Sequence, residues 1–183
     1  MTKALVLYHS IYGTTKKYAE WIASELNGDS CAMAELKENT LAQYDAIIIG
    51  CGLYAGKIRG MDIIVKNYET LRGKKLVYFT CGLADYSKPE HINTIAKRIE
   101  AVIPENLRQE IKLFFLRGGI DYRKLSFMHR IMMAVMNIIT AKKLKKDGAA
   151  ASEEDREFAE TYGKSLDFMD KESIKGIVEY CRT

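Results

Sequence analysis

The chain predicts an α/β three-layer sandwich: a parallel sheet of five strands, order 2-1-3-4-5, with helices on both faces and a helical basic insertion before the last helix. Three observations carry this. Short β-branched runs alternate along the 183 residues with longer stretches whose apolar positions recur every three or four residues. The runs at 46–50 and 75–82 are almost continuously apolar, the pattern of strands covered on both faces. The first, third and fourth runs each end in a loop rich in glycine or hydroxyl residues, where an open parallel sheet puts its binding crevice.

Taken in order, residues 4–8 form the first strand. It breaks at His9 into Ser10, Ile11, Tyr12, Gly13, Thr14 and Thr15, and a helical pattern follows to Leu26. Residues 31–36 read as a short second strand and 46–50 as the third. A helix is expected over 62–71 and a fourth strand over 75–82. Pro89 then opens a helix carrying Ile92, Ile95, Ala96, Ile99 and Val102; its fixed φ suits a first turn, and its missing N–H is no loss there. Residues 111–116 supply the fifth strand. The last helix is expected from Ser152, a good capping residue followed by Glu153, Glu154 and Asp155, to about Met169. Such alternation means βαβ units with right-handed crossovers.

Length and composition suit one globular domain over 1–183 with an insertion at 117–151; 48% of residues are hydrophobic and 28% charged. Cys31, Cys51, Cys81 and Cys181 form no C-x-x-C pair, so buried reduced thiols are expected rather than a zinc or redox-disulfide site. The first residues lack the zones of a signal peptide, so the expected location is cytoplasmic. A net charge of +4 without a recognised binding motif argues against nucleic acid as a partner.

The first loop carries chemistry. Ser10, Thr14 and Thr15 offer hydroxyls at a helix N-terminus, where unpaired N–H groups and the peptide dipole favour an anion, and phosphate in particular. The alternative is that Ser10 or Thr14 merely caps the helix. The loop lacks the Lys-Ser/Thr ending of a P-loop and the three glycines of a dinucleotide fingerprint. Two further loops, Gly50 to Gly56 and Thr80 to Tyr86, combine glycines, which let backbone approach a flat ring, with Tyr54 and Tyr86, which can stack on one.

The strand, the loop Ser10-Ile11-Tyr12-Gly13-Thr14-Thr15 and the helix after it resemble the FMN-phosphate loop of flavodoxins. The resemblance implies a flavodoxin-like sandwich in which Ser10, Tyr12, Gly13, Thr14 and Thr15 hold the phosphate of FMN. Gly52, Leu53, Tyr54, Ala55, Gly56, Cys81, Gly82 and Tyr86 would frame its ring, and no side chain would be catalytic. His9 reads as a loop residue, and Cys51 as a packing thiol.

The segment 117–151 is far longer than an ordinary connection. Its basic residues Arg117, Arg123, Lys124, Arg130, Lys142, Lys143, Lys145 and Lys146 face only Asp121 and Asp147, a net of +6, while the rest of the chain carries −2. Met128, Ile131, Met132, Val135, Ile138 and Ile139 predict an amphipathic helix within 125–144. The uncharged part, 131–141, is too short to span a bilayer, so peripheral membrane contact through 117–146 at the inner face of the cell membrane is the most it supports. Through the Ser10 to Thr15 loop, Gly50 to Gly56 and the stretch Arg117 to Lys143, with its Tyr122-Arg123 pair and the run Phe127 to Met132, the whole chain resembles the flavodoxin-type quinone-dependent protoporphyrinogen oxidase family. That resemblance implies an FMN-dependent oxidoreductase passing electrons from an anionic tetrapyrrole to a quinone. The competing expectation is a flavodoxin serving as an electron carrier to a redox partner protein.

Overall fold

The computed structural model describes residues 2–54 and 58–183. Its main sheet is parallel, in the order β2-β1-β3-β4-β5, from β1 (Ala4–His9), β2 (Asp29–Ala32), β3 (Ala46–Gly52), β4 (Lys75–Gly82) and β5 (Ile111–Arg117). The helices are α1 (Thr14–Leu26), α2 (Met61–Lys66), α3 (Tyr68–Leu71), α4 (Pro89–Glu100), α5 (Phe127–Asp147), α6 (Glu153–Thr161) and α7 (Lys175–Arg182). Strand order and layer arrangement are as the sequence predicts.

Alternation along the strands sorts the side chains into two cores. Val6, Ile48, Val77 and Phe79 point to one face and pack on Tyr18 and Ile22 of α1 and on Ile177 and Cys181 of α7. Leu7, Ile49, Leu76 and Tyr78 point to the other face, against Ile64 of α2, Leu71 of α3 and Ile99 of α4. Tyr18 ties the first core together at the sheet's edge: its hydroxyl donates to Arg117 O at 2.7 Å and accepts from Asp170 N–H at 3.0 Å.

Three elements depart from expectation. The second strand is 29–32, not 31–36, because the chain leaves α1 through Asn27, in the left-handed region at φ 49°, and enters the sheet at once. Gly28 permits this; a Cβ there would lie 2.4 Å from Ala4 O. The helix at 62–71 is two, broken at Asn67, whose side-chain amide donates to Ile63 O at 2.8 Å and so competes with the backbone ladder. Ser152 does cap α6, accepting from Asp155 N–H at 3.1 Å, but α6 ends at Thr161, short of the expected end near Met169. A further helix, α7, which the sequence reading lacked, packs in the first core through Ile177, Val178 and Cys181.

The chain forms two compact units. One comprises the residues up to Gly118 together with Met169–Thr183; the other is Gly119–Phe168. In the second unit α6 packs on α5, and β6 (Gly119–Ile120) pairs antiparallel with β7 (Leu166–Asp167), so the added segment extends past 151 to 168.

Two outcomes follow from this packing. Gly50 lies opposite Phe79, and a Cβ on it would sit 2.1 Å from the ring, so Gly50→Ala should lower stability by about 1–3 kcal/mol in urea unfolding. Combining it with Phe79→Leu should restore part of that loss, a non-additivity that two independent sites would not show. Burial raises the thiol of Cys81 to about 12 and that of Cys181 to about 11. The protonated thiols therefore stabilise the fold fully below the unfolded value of about 8.5, and the contribution is lost as pH rises toward 11 and 12. The urea midpoint should fall across that window, less steeply in Cys181→Ala.

Candidate cofactor-binding site

Parallel strands deliver their carboxyl ends to one edge, and hydrogen bonds stitch the loops there. Ile11 N–H donates to the Tyr54 hydroxyl at 3.0 Å, joining the first loop to that after β3. Leu53 N–H donates to Cys81 O at 2.9 Å, joining β3's loop to β4. Gly118 N–H donates to Gly82 O at 2.6 Å, and Arg117 Nε to Leu83 O at 3.1 Å, joining β4's loop to β5. The loops that the sequence marked are thus brought together. Ala55 and Gly56 lie outside the described residues.

The first loop is built as an anion cradle. Gly13 stands at the N-cap of α1 with φ 93°, a conformation that disfavours any other residue. It has no side chain to cap the first-turn N–H groups of Thr14, Thr15 and Lys16, which by helix geometry lack intrahelical partners. Ser10 instead accepts Gly13 N–H at 3.0 Å, closing the loop behind them. The capping alternative is therefore wrong for both Ser10 and Thr14: neither caps α1. Thr15 is 1% exposed, and its Oγ1 has only the weakly accepting Cys81 sulfur beside it, with no conventional hydrogen bond. Leaving such a hydroxyl unpaired costs about 1–3 kcal/mol, the mark of a group placed for a ligand rather than for the core.

Tyr54 folds back over its own loop. A Cβ on Gly52 would lie 2.6 Å from the ring, so glycine there is what lets the ring settle. The ring meets Tyr12 edge-on at 5.8 Å and His9 at 6.3 Å. Burial raises its phenol, while the amides of Ile11 and Tyr12 pull the other way. Tyr86 uses the same device at Gly82, where a Cβ would sit 2.6 Å from its hydroxyl, and its ring tilts against Phe115 at 5.8 Å.

His9, Cys51 and Cys81 at this edge are held neutral. Burial, and then the charge of Arg59, lowers the His9 imidazole, whose Nδ1 is buried without a partner. Burial raises Cys51 as it does Cys81, so both remain thiols rather than nucleophilic thiolates. What remains is a cradle of donors and glycine-floored walls, suited to binding a phosphate ester that bears a flat ring. Sequence reasoning missed Gly118, where a Cβ would fall 2.7 Å from Cys81 Sγ and 3.1 Å from Thr14 Cγ2. The Gly118-Gly119 doublet was the available signal. It also missed Thr80, fully buried on β4 with Oγ1 unpartnered.

An uncharacterised protein of Methanocaldococcus jannaschii is 43% identical over 86 residues, 44% of this chain and 55% of that one, so the chain spans about half of that relative's length. A flavodoxin of Maridesulfovibrio salexigens is 30% identical over 100 residues, 48% of this chain and 68% of its own. Among solved structures, oxidised Flavodoxin 2 from Bacillus cereus aligns over 87% of this chain and 99% of its own at 21% identity, with a TM-score of 0.38. The profile of the flavodoxin domain, a family whose members bind FMN, matches residues 5–147. The chain belongs to the flavodoxin domain family.

Proposed function

We propose that this chain holds FMN at the carboxyl edge of its sheet and serves as an electron carrier. The observation that carries the reading is the Thr15 hydroxyl, buried and without a conventional partner beside first-turn amides that no side chain caps. Ser10, Tyr12, Gly13, Thr14 and Thr15 would hold the phosphate, and Gly52, Leu53, Tyr54, Cys81, Gly82 and Tyr86 would frame the ring. FMN, when bound, supplies the electron transfer. The residues of the chain bind and orient it, and the buried Cys51 and Cys81 with the half-buried Tyr54 would line its inner wall. Neutral His9 adds no positive charge beside the ring position. The scheme asks for no acid, base or nucleophile, and the state of His9 and the two thiols agrees with that.

The segment that resembles the porphyrinogen oxidases supports a second reading, in which the same pocket dehydrogenates a tetrapyrrole and a quinone takes the electrons. The family match and the flavodoxin relative support the carrier better.

Thr15→Val keeps the volume and removes the hydroxyl. FMN affinity, followed by fluorescence quenching, should fall about tenfold, one charge-assisted hydrogen bond, while riboflavin affinity stays within twofold. Equal losses for both ligands, or no loss, would refute the phosphate assignment. With FMN bound, rapid reduction by a flavodoxin reductase and onward transfer to cytochrome c should occur without turnover of protoporphyrinogen IX. Steady oxidation of that tetrapyrrole with menaquinone as acceptor would reverse the preference.

A further inference from the structure

In the unit Gly119–Phe168, α5 has two unlike faces. Met133 and Thr140, seven residues apart on one side of the helix, are buried, and α6 packs on α5. On the opposite side Phe127 and Met128 are 77% and 71% exposed, and Ile131, Val135, Ile138 and Ile139 lie between 45% and 56%. Phe127, Ile131, Val135 and Ile138 follow one another at helical spacing, and the same ridge continues into the exposed Lys142, Lys145 and Lys146. No Asp or Glu occurs from Phe127 to Lys146. Exposed apolar groups of this size in one stripe mark an interaction surface.

We propose that this face of α5 docks on an anionic lipid bilayer, with the helix lying in the interface. The apolar residues of its first turns enter the boundary between headgroups and acyl chains, and Lys142, Lys145 and Lys146 meet lipid phosphates. The charge pattern selects this occupant over a second copy of the chain. Antiparallel pairing through the face would lay the lysines of one copy over Phe127 and Met128 of the other, removing ammonium groups from water with no carboxylate on the face to receive them. Parallel pairing would set like charges together. A bilayer supplies both halves of the complement. Among the described residues no helix is long and apolar enough to cross a membrane, which fits a helix resting on the surface.

The experiment uses the full chain with vesicles of phosphatidylcholine alone or mixed with phosphatidylglycerol, read by co-sedimentation at low and high salt, with sedimentation velocity in the absence of lipid. Wild type should bind only the phosphatidylglycerol vesicles and be released by salt. Replacing Lys142, Lys145 and Lys146 by Gln should weaken binding roughly a hundredfold. Ile131→Asn with Ile138→Asn should weaken it at least tenfold at unchanged circular dichroism, since both residues are exposed and folding does not depend on them. Binding that ignores lipid charge, binding unchanged in the isoleucine variant, or no binding at all would overturn the proposal. So would a wild-type dimer that the isoleucine variant dissociates, which would assign the face to a second copy. None of these readouts depends on the flavin, so failure here leaves the redox reading untouched.

Discussion

The pairing of β1 with β2 on one side and β3 on the other is the constraint from which the rest of the structure follows. Parallel neighbours can be joined only by a crossover that returns the chain to its starting end, and right-handedness decides the face each crossover covers. Leaving β1 for β2 puts α1 on one face; leaving β3 for β4 puts α2 and α3 on the other. The connections diverge at the carboxyl ends of β1 and β3, and that divergence opens the crevice. The stitching bonds from Ile11 to Tyr54 and from Leu53 to Cys81 then fix how far apart its walls stand.

The energetic character of the sheet changes along its length. Through its middle, Ile47, Ile48 and Ile49 of β3 are buried on alternating faces with their backbones paired to both neighbours. At the carboxyl edge, Thr15 Oγ1, Thr80 Oγ1 and His9 Nδ1 are buried without partners. Each costs roughly 1–3 kcal/mol relative to a paired group. Local rules that hold in the core and fail together at one edge are what a binding site looks like in a folded chain.

The sheet was legible because its signals are local and redundant. The unbroken apolar runs of β3 and β4 admit few other structures, and Pro89 sets the start of α4 by its own covalent geometry. The first loop was legible for the same reason, since Ser10, Gly13 and Thr15 act within a few residues of one another. What escaped depends on distant partners. α7 is too short to announce itself and becomes a sheet-covering helix only because Tyr18 holds Asp170 beside β5. The break at Asn67 rests on one side-chain bond. The folding of Tyr54 and Tyr86 over glycines, rather than outward, could not be read from spacing, because a glycine's use depends on what occupies the room it leaves.

The contact between Ile11 N–H and the Tyr54 hydroxyl has a consequence for selectivity. A phenol oxygen is a neutral, modest acceptor, so little is lost when that amide exchanges it for a stronger one. A dianionic ester, accepting far more strongly, can displace it. The bond therefore keeps that amide satisfied in the free chain without committing it against an anionic ester.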